Sequence, residues 1–329
     1  MLWRIQVARG HEYRQDVTRE SIRRIRTPGI RGLIYDRHGV VLAGNRPKYN
    51  IAVFLEELRQ PGPRSRTLDR VEALLDELGG RLGRPAEIDR EDIAVHFQRR
   101  LPLPILAWED IDEGMLARWA EQAVGLPGVD LYVESAREYP RGRAACHVLG
   151  YVGRADPSEP EEEEFDYYLP DSEGKRGIEK TFDDDLRGRA GGVLVRVDVT
   201  GYRYRDPALD ARRRKARRGD DVYLALDADI QARAEEAIRG APGAVVVMDP
   251  LNGDVLAMAS EPGFDPNRFV PSISSEQWRA LMDDEDRPML HRASAGVYPP
   301  GSTFKPVVAM AALENQMADA DQTWHCPGS

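Results

Sequence analysis

Two apolar runs, Ala244–Met248 and Val255–Met258, flank the turn Asp249-Pro250-Leu251-Asn252-Gly253-Asp254 and constrain the fold more than any other stretch. Asn-Gly accepts the positive φ angles of a tight hairpin turn, so the runs are read as antiparallel strands. The first run has no polar alternation, which predicts a strand covered on both faces. Upstream, Val222–Leu226 reads as a strand. Asp227 or Asp229 then caps a helix with Ile230, Ala234, Ala237 and Ile238 on one side. These signals predict a sheet with helices packed against it.

The preceding half reads differently. Between Gly29 and Leu55, Leu33, Ile34, Val40, Val41, Ile51 and Val53 bracket the turn Asp36-Arg37-His38-Gly39, as paired strands would. Thr67 is expected to cap a helix with Val71, Leu74, Leu75 and Leu78 on one face, ended by Gly79-Gly80. A second helix is expected from Asp112 to Val124, then strands and turns from Pro127 to Gly153. Ser158–Glu164 is an acidic run of the kind found in solvated loops. Gly191 to Tyr204 alternates through Val193, Val195, Val197 and Val199 and predicts one strand turning at Gly201. The basic run Ala211–Arg218 invites a nucleic-acid reading, but a chain of 329 residues with a net charge of −10 offers no concentrated basic surface. It reads instead as an exposed loop between domains, with a boundary near Gly219. The fold class is therefore α+β: a β-rich module over 1–218 and an α/β part over 219–329.

Chemistry is concentrated in Tyr298-Pro299-Pro300-Gly301-Ser302-Thr303-Phe304-Lys305-Pro306. A serine hydroxyl needs a neighbour to take its proton before it can attack a carbonyl. Positions three apart on a helix face each other, so Ser302 and Lys305 can touch. Lysine serves as the base only where burial or positive charge disfavours its protonated form. The following Pro306–Leu313 is apolar nearly all round, which predicts a buried helix and a dehydrated Lys305. S-x-x-K alone is a weak pattern: Ser172-Glu173-Gly174-Lys175 matches it too, within a polar segment that leads into no apolar helix. From local pattern alone, an ordinary helix-start serine beside a solvent-facing lysine stays open.

Ordered motifs change the weight. The Ser302 segment resembles the nucleophile motif of penicillin-binding proteins, whose S-x-x-K element it carries. Arg31–Gly39 with Leu42-Ala43 and Asn45 is similar to the signature opening the non-catalytic module of class B members. Tyr139-Pro140, His147–Gly153 and Gly177-Ile178-Glu179-Lys180 are similar to its later signatures. Gly243–Pro250, Leu256–Ser260, Phe264-Asp265-Pro266-Asn267 and Arg292-Ala293 match the opening of the family's transpeptidase domain. Within class B, Val297–Ser302 and Asn267–Val270 leading to Ile273-Ser274-Ser275 favour the penicillin-binding protein 2 branch of cell elongation over the division-specific branch.

The resemblance implies a pedestal or dimerisation module followed by the first part of a serine β-lactamase-like transpeptidase domain. It implies peptidoglycan D,D-transpeptidation, with Ser302 as nucleophile, Lys305 as base and the Ser302 N–H as an oxyanion donor. The implied partners are stem peptides ending in D-Ala-D-Ala, β-lactams, a SEDS-type glycan polymerase and elongation scaffold proteins. No cofactor, metal or nucleic acid is expected. The family's S-x-N and K-[ST]-G motifs do not occur after Ser302, and Lys180-Thr181-Phe182 is no substitute. The expectation is thus a fragment, inactive alone, of a protein held at the periplasmic face of the bacterial inner membrane by an anchor preceding Met1–Arg9. No run of 18 or more apolar residues occurs in this chain.

Smaller features are expected to be structural: Cys146 as a buried small residue, Glu179 as a structural carboxylate, and His325-Cys326 as a lone pair too sparse for a metal site. A different functional class also fits, a non-catalytic interaction module in residues 1–218. A secreted serine β-lactamase fits less well, since such a hydrolase has no use for that module.

Overall fold

A computed structural model describes residues 22–122, 126–155, 172–197, 203–204, 213–323, 325 and 327. Met1–Arg9, the acidic run Ser158–Glu164 and Cys326 lie outside the described residues.

The first unit starts with β1 (Ile22–Thr27), β2 (Ile34–Tyr35) and the 13-residue β3 (Val41–Val53). It continues through α1 (Arg64–Leu82), α2 (Arg90–Arg99), β4 (Ile105–Trp108), α3 (Glu113–Gln122) and β5 (Val129–Glu138). The hairpin expected around Asp36–Gly39 forms, with Asp36 N–H on Val40 O at 2.9 Å. β3 is the spine: β5 pairs with it along Gly44–Val53, while β4 takes its far end and β2 its near end. α1 lays Val71, Leu74, Leu75, Leu78 and Leu82 against Ile51, Val53, Trp108 and Met115. Each such side chain contributes about 1.5–3 kcal/mol of burial.

Both expected ends of this helix move. Pro63 precedes the first turn, and Thr67 lies inside the helix with its hydroxyl accepting Gln60 N–H at 3.0 Å. The helix runs through Gly79-Gly80 and stops at Gly83, whose φ of 72° is left-handed. Gly79 serves close approach instead, since a Cβ there would stand 3.3 Å from Arg84 O. α3 starts where expected, with Asp112 Oδ1 accepting Met115 N–H at 2.8 Å.

After β5 come α4 (Cys146–Leu149), β6 (Val152–Arg154), β7 (Ser172–Gly174), α5 (Gly177–Thr181) and α6 (Asp183–Leu186). β8 (Gly191–Val197), β9 (Arg203–Tyr204) and β10 (Arg213–Arg214) then join β1 in one antiparallel sheet. Two expectations are corrected here. The strand read over Gly191–Tyr204 with a turn at Gly201 runs only to Val197, and Arg203-Tyr204 pairs back against it, Val197 opposite Arg203; Gly201 itself lies outside the described residues. The basic run is not wholly a loop either, because β8 recruits Arg213 and Arg214 as a strand while both side chains stay exposed.

The second part is β11 (Val222–Tyr223), α7 (Ala228–Ala237), β12 (Gly243–Met248), β13 (Val255–Glu261), α8 (Ser275–Asp283), α9 (Arg292–Ala295) and α10 (Lys305–Glu314). β11 pairs in parallel with β2, so the chain re-enters the first unit's sheet before leaving it. Asp227, not Asp229, caps α7, accepting the N–H groups of Asp229 and Ile230. β12 and β13 form the expected hairpin around Asn252-Gly253, with Gly253 at φ 82°. Ile230, Ala234 and Ile238 of α7 cover Val245, Val247, Ala257 and Ala259. The expectation that β12 is covered on both faces fails: Val246 and Met248 are 45% and 55% exposed. Uniform apolarity records what both faces can bury, and the described residues supply a covering layer to only one.

Candidate functional site

Ser302 lies on a single 3-10 turn, Gly301–Phe304, that feeds directly into α10. Gly301 enters it at φ 53°, a conformation that costs an L side chain energy. Lys305 N–H donates to Ser302 O, closing the turn. In a 3-10 turn residues three apart are eclipsed, so the serine and lysine side chains leave the backbone on the same side. Both are exposed, and no hydrogen bond joins Ser302 Oγ to Lys305 Nζ among the described residues. The Ser302 N–H is likewise unbonded there.

The predicted burial of α10 is overturned. None of its residues is buried, and Met310 is 62% exposed. Its sequence is as apolar as expected, but no described element packs over it, so the dehydration that a lysine base requires is absent here.

What holds the approach to this turn is better defined. Ser260, near the end of β13, accepts Arg292 N–H at 2.9 Å and donates to Leu290 O at 3.2 Å. Arg292 is buried, its guanidinium on the carbonyls of Arg287 and Asp286. The start of α9 is thereby fixed to the sheet a few residues before Tyr298.

The second part seats on the first through specific polar contacts. Asn267 clamps the end of β5 in both directions: its Oδ1 accepts Tyr139 N–H at 2.9 Å and its Nδ2 donates to Tyr139 O at 3.0 Å. Glu235 accepts Ala145 N–H at 2.7 Å, and Arg143 pairs with Glu261 at 2.7 Å. Burial holds the Glu235 carboxyl above its usual range. Asp36 accepts the N–H groups of His38, Val40 and Ala228. Burial pushes its pKa up, but these bonds together outweigh that and hold it low. His147 donates from Nε2 to Pro288 O at 2.7 Å and stacks on His291 at 5.4 Å between ring centres. Burial, above all, lowers the His147 pKa to about 4.

Beneath this seam lies a buried charge cluster. Glu179 is 0% exposed; Arg31 Nε donates to its Oε2 and Arg137 Nε to its Oε1, both at 2.7 Å, and Tyr139 OH reaches Oε1 at 3.2 Å. Arg31 also pairs with Asp183 at 2.7 Å. The structural reading of Glu179 holds, and its weight exceeds what the sequence suggests. Burial drives the Tyr139 hydroxyl well above its ordinary pKa. Gly174 lets β7 approach, since a Cβ there would meet Glu179 O at 1.8 Å.

The competing Ser172 sits in β7 rather than at a helix start, and Lys175 pairs with Glu173. Cys146 is buried as expected, and burial pushes its thiol up to about 12. Among the described residues no group of three metal-ligating side chains converges. In the sequence Asn267 and Arg31 stand out only as motif letters, and Arg137 and His291 not at all. Their partners lie far away in the chain, so no local spacing announces them.

Residues 26–224 match the family description "Penicillin-binding Protein dimerisation domain", and residues 243–329 match "Penicillin binding protein transpeptidase domain". The chain belongs to the penicillin-binding proteins. Its fold is accordingly that family's pedestal module followed by transpeptidase-domain elements. Among curated penicillin-binding proteins, the peptidoglycan D,D-transpeptidase MrdA of Escherichia coli K12 is 33% identical over 345 residues, covering 100% of this chain and 51% of the relative. The Haemophilus influenzae MrdA is 33% identical, covering 99% and 49%. The solved complex between penicillin-binding protein PBP2 and MreC from Helicobacter pylori aligns with a TM-score of 0.67 at 26% identity, over 92% of this chain and 54% of that one. The chain spans about half the length of the curated relatives it matches.

Proposed function

We propose that the protein is a peptidoglycan D,D-transpeptidase of cell-wall elongation and that Ser302 is its nucleophile. The observation that carries this is the turn itself: a serine with a free N–H, and a lysine three residues on from the same side, where a helix begins. Ser302 Oγ attacks the carbonyl of the penultimate D-alanine while Lys305 Nζ takes its proton. The tetrahedral oxyanion is met by the Ser302 N–H and by the positive end of α10. Collapse expels the terminal D-alanine, whose amine recovers the proton, and leaves an ester on Ser302. The amine of a neighbouring stem then attacks that ester, forming the cross-link amide and freeing the serine. A β-lactam carbonyl enters by the same first step, but its amine stays tethered.

The names of the relatives support this reading, and so does the 100% coverage of this chain by the Escherichia coli alignment. A division near Gly219 is proposed as well, just before β11 pairs with β2 of the pedestal sheet. The pedestal is proposed to take elongation partners, a SEDS-type polymerase and a scaffold of the MreC kind, since the aligned solved structure is a PBP2–MreC complex. The intact protein is proposed to face the periplasm from the inner membrane; no described helix is long and apolar enough to cross a membrane. With α10 exposed, this chain alone is expected to acylate slowly. Fluorescent-penicillin labelling of the chain beside a version extended to its relatives' length tests the reading. Fast labelling of the extended form, lost in Ser302→Ala, is expected; labelling that survives Ser302→Ala refutes it.

A further inference from the structure

Among the described residues, β5 has an open edge of a kind that proteins normally block. In its register with β3, Gly44 faces Glu138 and Val53 faces Val129, and the next pair is joined by Phe54 N–H on Gly128 O at 2.8 Å. Ladder bonds alternate along an antiparallel pair. The even-numbered residues of β5 therefore bond β3, and the odd-numbered ones turn N–H and C=O outward. Tyr139, the next odd residue, obeys this: its outward N–H and C=O are the groups Asn267 clamps. Leu131 N–H is met at 2.7 Å by the side chain of Asp130. Of the other odd residues, Val129 and Arg137 are buried, whereas Val133 and Ser135 are exposed, their outward N–H groups bonded to nothing among the described residues.

The opposite edge of the same sheet shows what protection looks like. Between its contacts with β2 and β4, β3 presents Asn45, Pro47 and Tyr49 outward. Pro47 has no N–H to offer, and Tyr49 O accepts Ile111 N–H at 2.9 Å. A proline on an exposed edge blocks pairing; β5 has no proline and no lysine.

Charge selects the occupant. Asp130, Glu134 and Glu138 share the even face of β5; Glu134 accepts Asn50 Nδ2 at 2.8 Å, and Lys48 opposite it is drawn to Glu109, while the only basic residue of the strand, Arg137, is 4% exposed and tied to Glu179. The odd face offers Val133, 53% exposed. A second copy paired here would set carboxylates against carboxylates on one face, which disfavours it. The edge also runs into a cleft of about 360 Å³ lined by Arg46, Arg137, Glu138, Tyr139, Asn267 and Val270, room for a side chain at the end of an added strand. We propose that Val133–Ser135 is a strand-addition site for an extended partner segment alternating basic and apolar residues. Its apolar residues lie opposite Val133 and Ser135, making the backbone bonds, and its basic residues face Asp130, Glu134 and Glu138.

The test uses the full chain and a fluorescent peptide of alternating lysine and valine. Residues directly opposite in an antiparallel pair share a face, so the valine N–H groups make the bonds. N-methylation of the valines, and Ser135→Pro, should each weaken binding at least about tenfold. N-methylation of the lysines should be tolerated, and the Val133 and Ser135 amides should gain exchange protection only with the bindable peptides. Because the peptide comparison uses the unaltered chain, it stands even if Ser135→Pro misfolds. Equal binding of the two methylated forms, no binding up to about 1 mM peptide, or self-association of the chain that Ser135→Pro abolishes would each overturn the proposal.

Discussion

Replacing Glu179 by glutamine removes one charge and almost no volume from a site that is 0% exposed. Two guanidiniums, those of Arg31 and Arg137, each donate to this carboxylate at 2.7 Å. Arg31 keeps Asp183 as a partner; Arg137, 4% exposed, keeps only neutral acceptors, chiefly Gly32 O at 2.6 Å. Removing one member of a buried pair leaves an uncompensated charge and costs about 3–5 kcal/mol. For a unit of this size 1 kcal/mol lowers the melting point by about 2–4 °C, so Glu179→Gln should lower it by about 10 °C. Urea unfolding followed by circular dichroism measures the loss, with Glu77→Gln as the comparison. Glu77 pairs with Arg81 in an exposed i,i+4 contact, worth about 0.3–0.5 kcal/mol. Adding Arg137→Met to Glu179→Gln should recover part of the loss, because it removes the stranded charge. A loss below about 1 kcal/mol for Glu179→Gln would show that the cluster does not hold the pedestal together.

Gly174→Ala should destabilise the chain far more than Gly39→Ala, measured by the same unfolding. The first sets a Cβ 1.8 Å from Glu179 O, while the second meets nothing within 4 Å and costs only the strain of φ 81°, about 1 kcal/mol. His147 is held neutral by burial, with a native pKa of about 4 against 6.5 when unfolded. Above pH 6.5 its contribution is complete, and as pH falls to about 4 the unfolded chain binds a proton that the native chain refuses. Stability is lost across that window, by at most about 3 kcal/mol, and thermal melts of His147→Gln at pH 7 and pH 4.5 should show a flatter dependence. Asn267→Ala removes both bonds to the Tyr139 backbone and should cost about 1–3 kcal/mol. Faster hydrogen exchange at the Tyr139 amide reads that loss directly, and unchanged exchange there would dismiss the clamp.

Local chemistry was legible in the sequence and distant pairing was not. Asn252-Gly253 announced its hairpin, and Asp227 its helix, because each feature is complete within a few residues. Gly79-Gly80 misled because a glycine that ends a helix and one that lets a neighbouring chain close in look the same in sequence. Arg213 and Arg214 read as loop until β8 supplied a strand to pair with. The pairing of Glu179 with Arg31 spans 148 positions, which no periodicity encodes. Ser302 and Lys305 stand out by their spacing and flanking motifs; Ser302 lies in the 3-10 turn and Lys305 opens the helix that follows it. The apolar helix after them stated a demand for burial correctly, but not whether the described elements meet it.

The central claim is that Ser302 carries the acyl group. Peptide mapping by mass spectrometry, after a brief reaction of the version extended to its relatives' length with penicillin, tests this directly. A single penicilloyl adduct is expected on the peptide that contains Ser302 and Lys305, localised to the serine. An adduct on any other residue, Ser172 included, would contradict it.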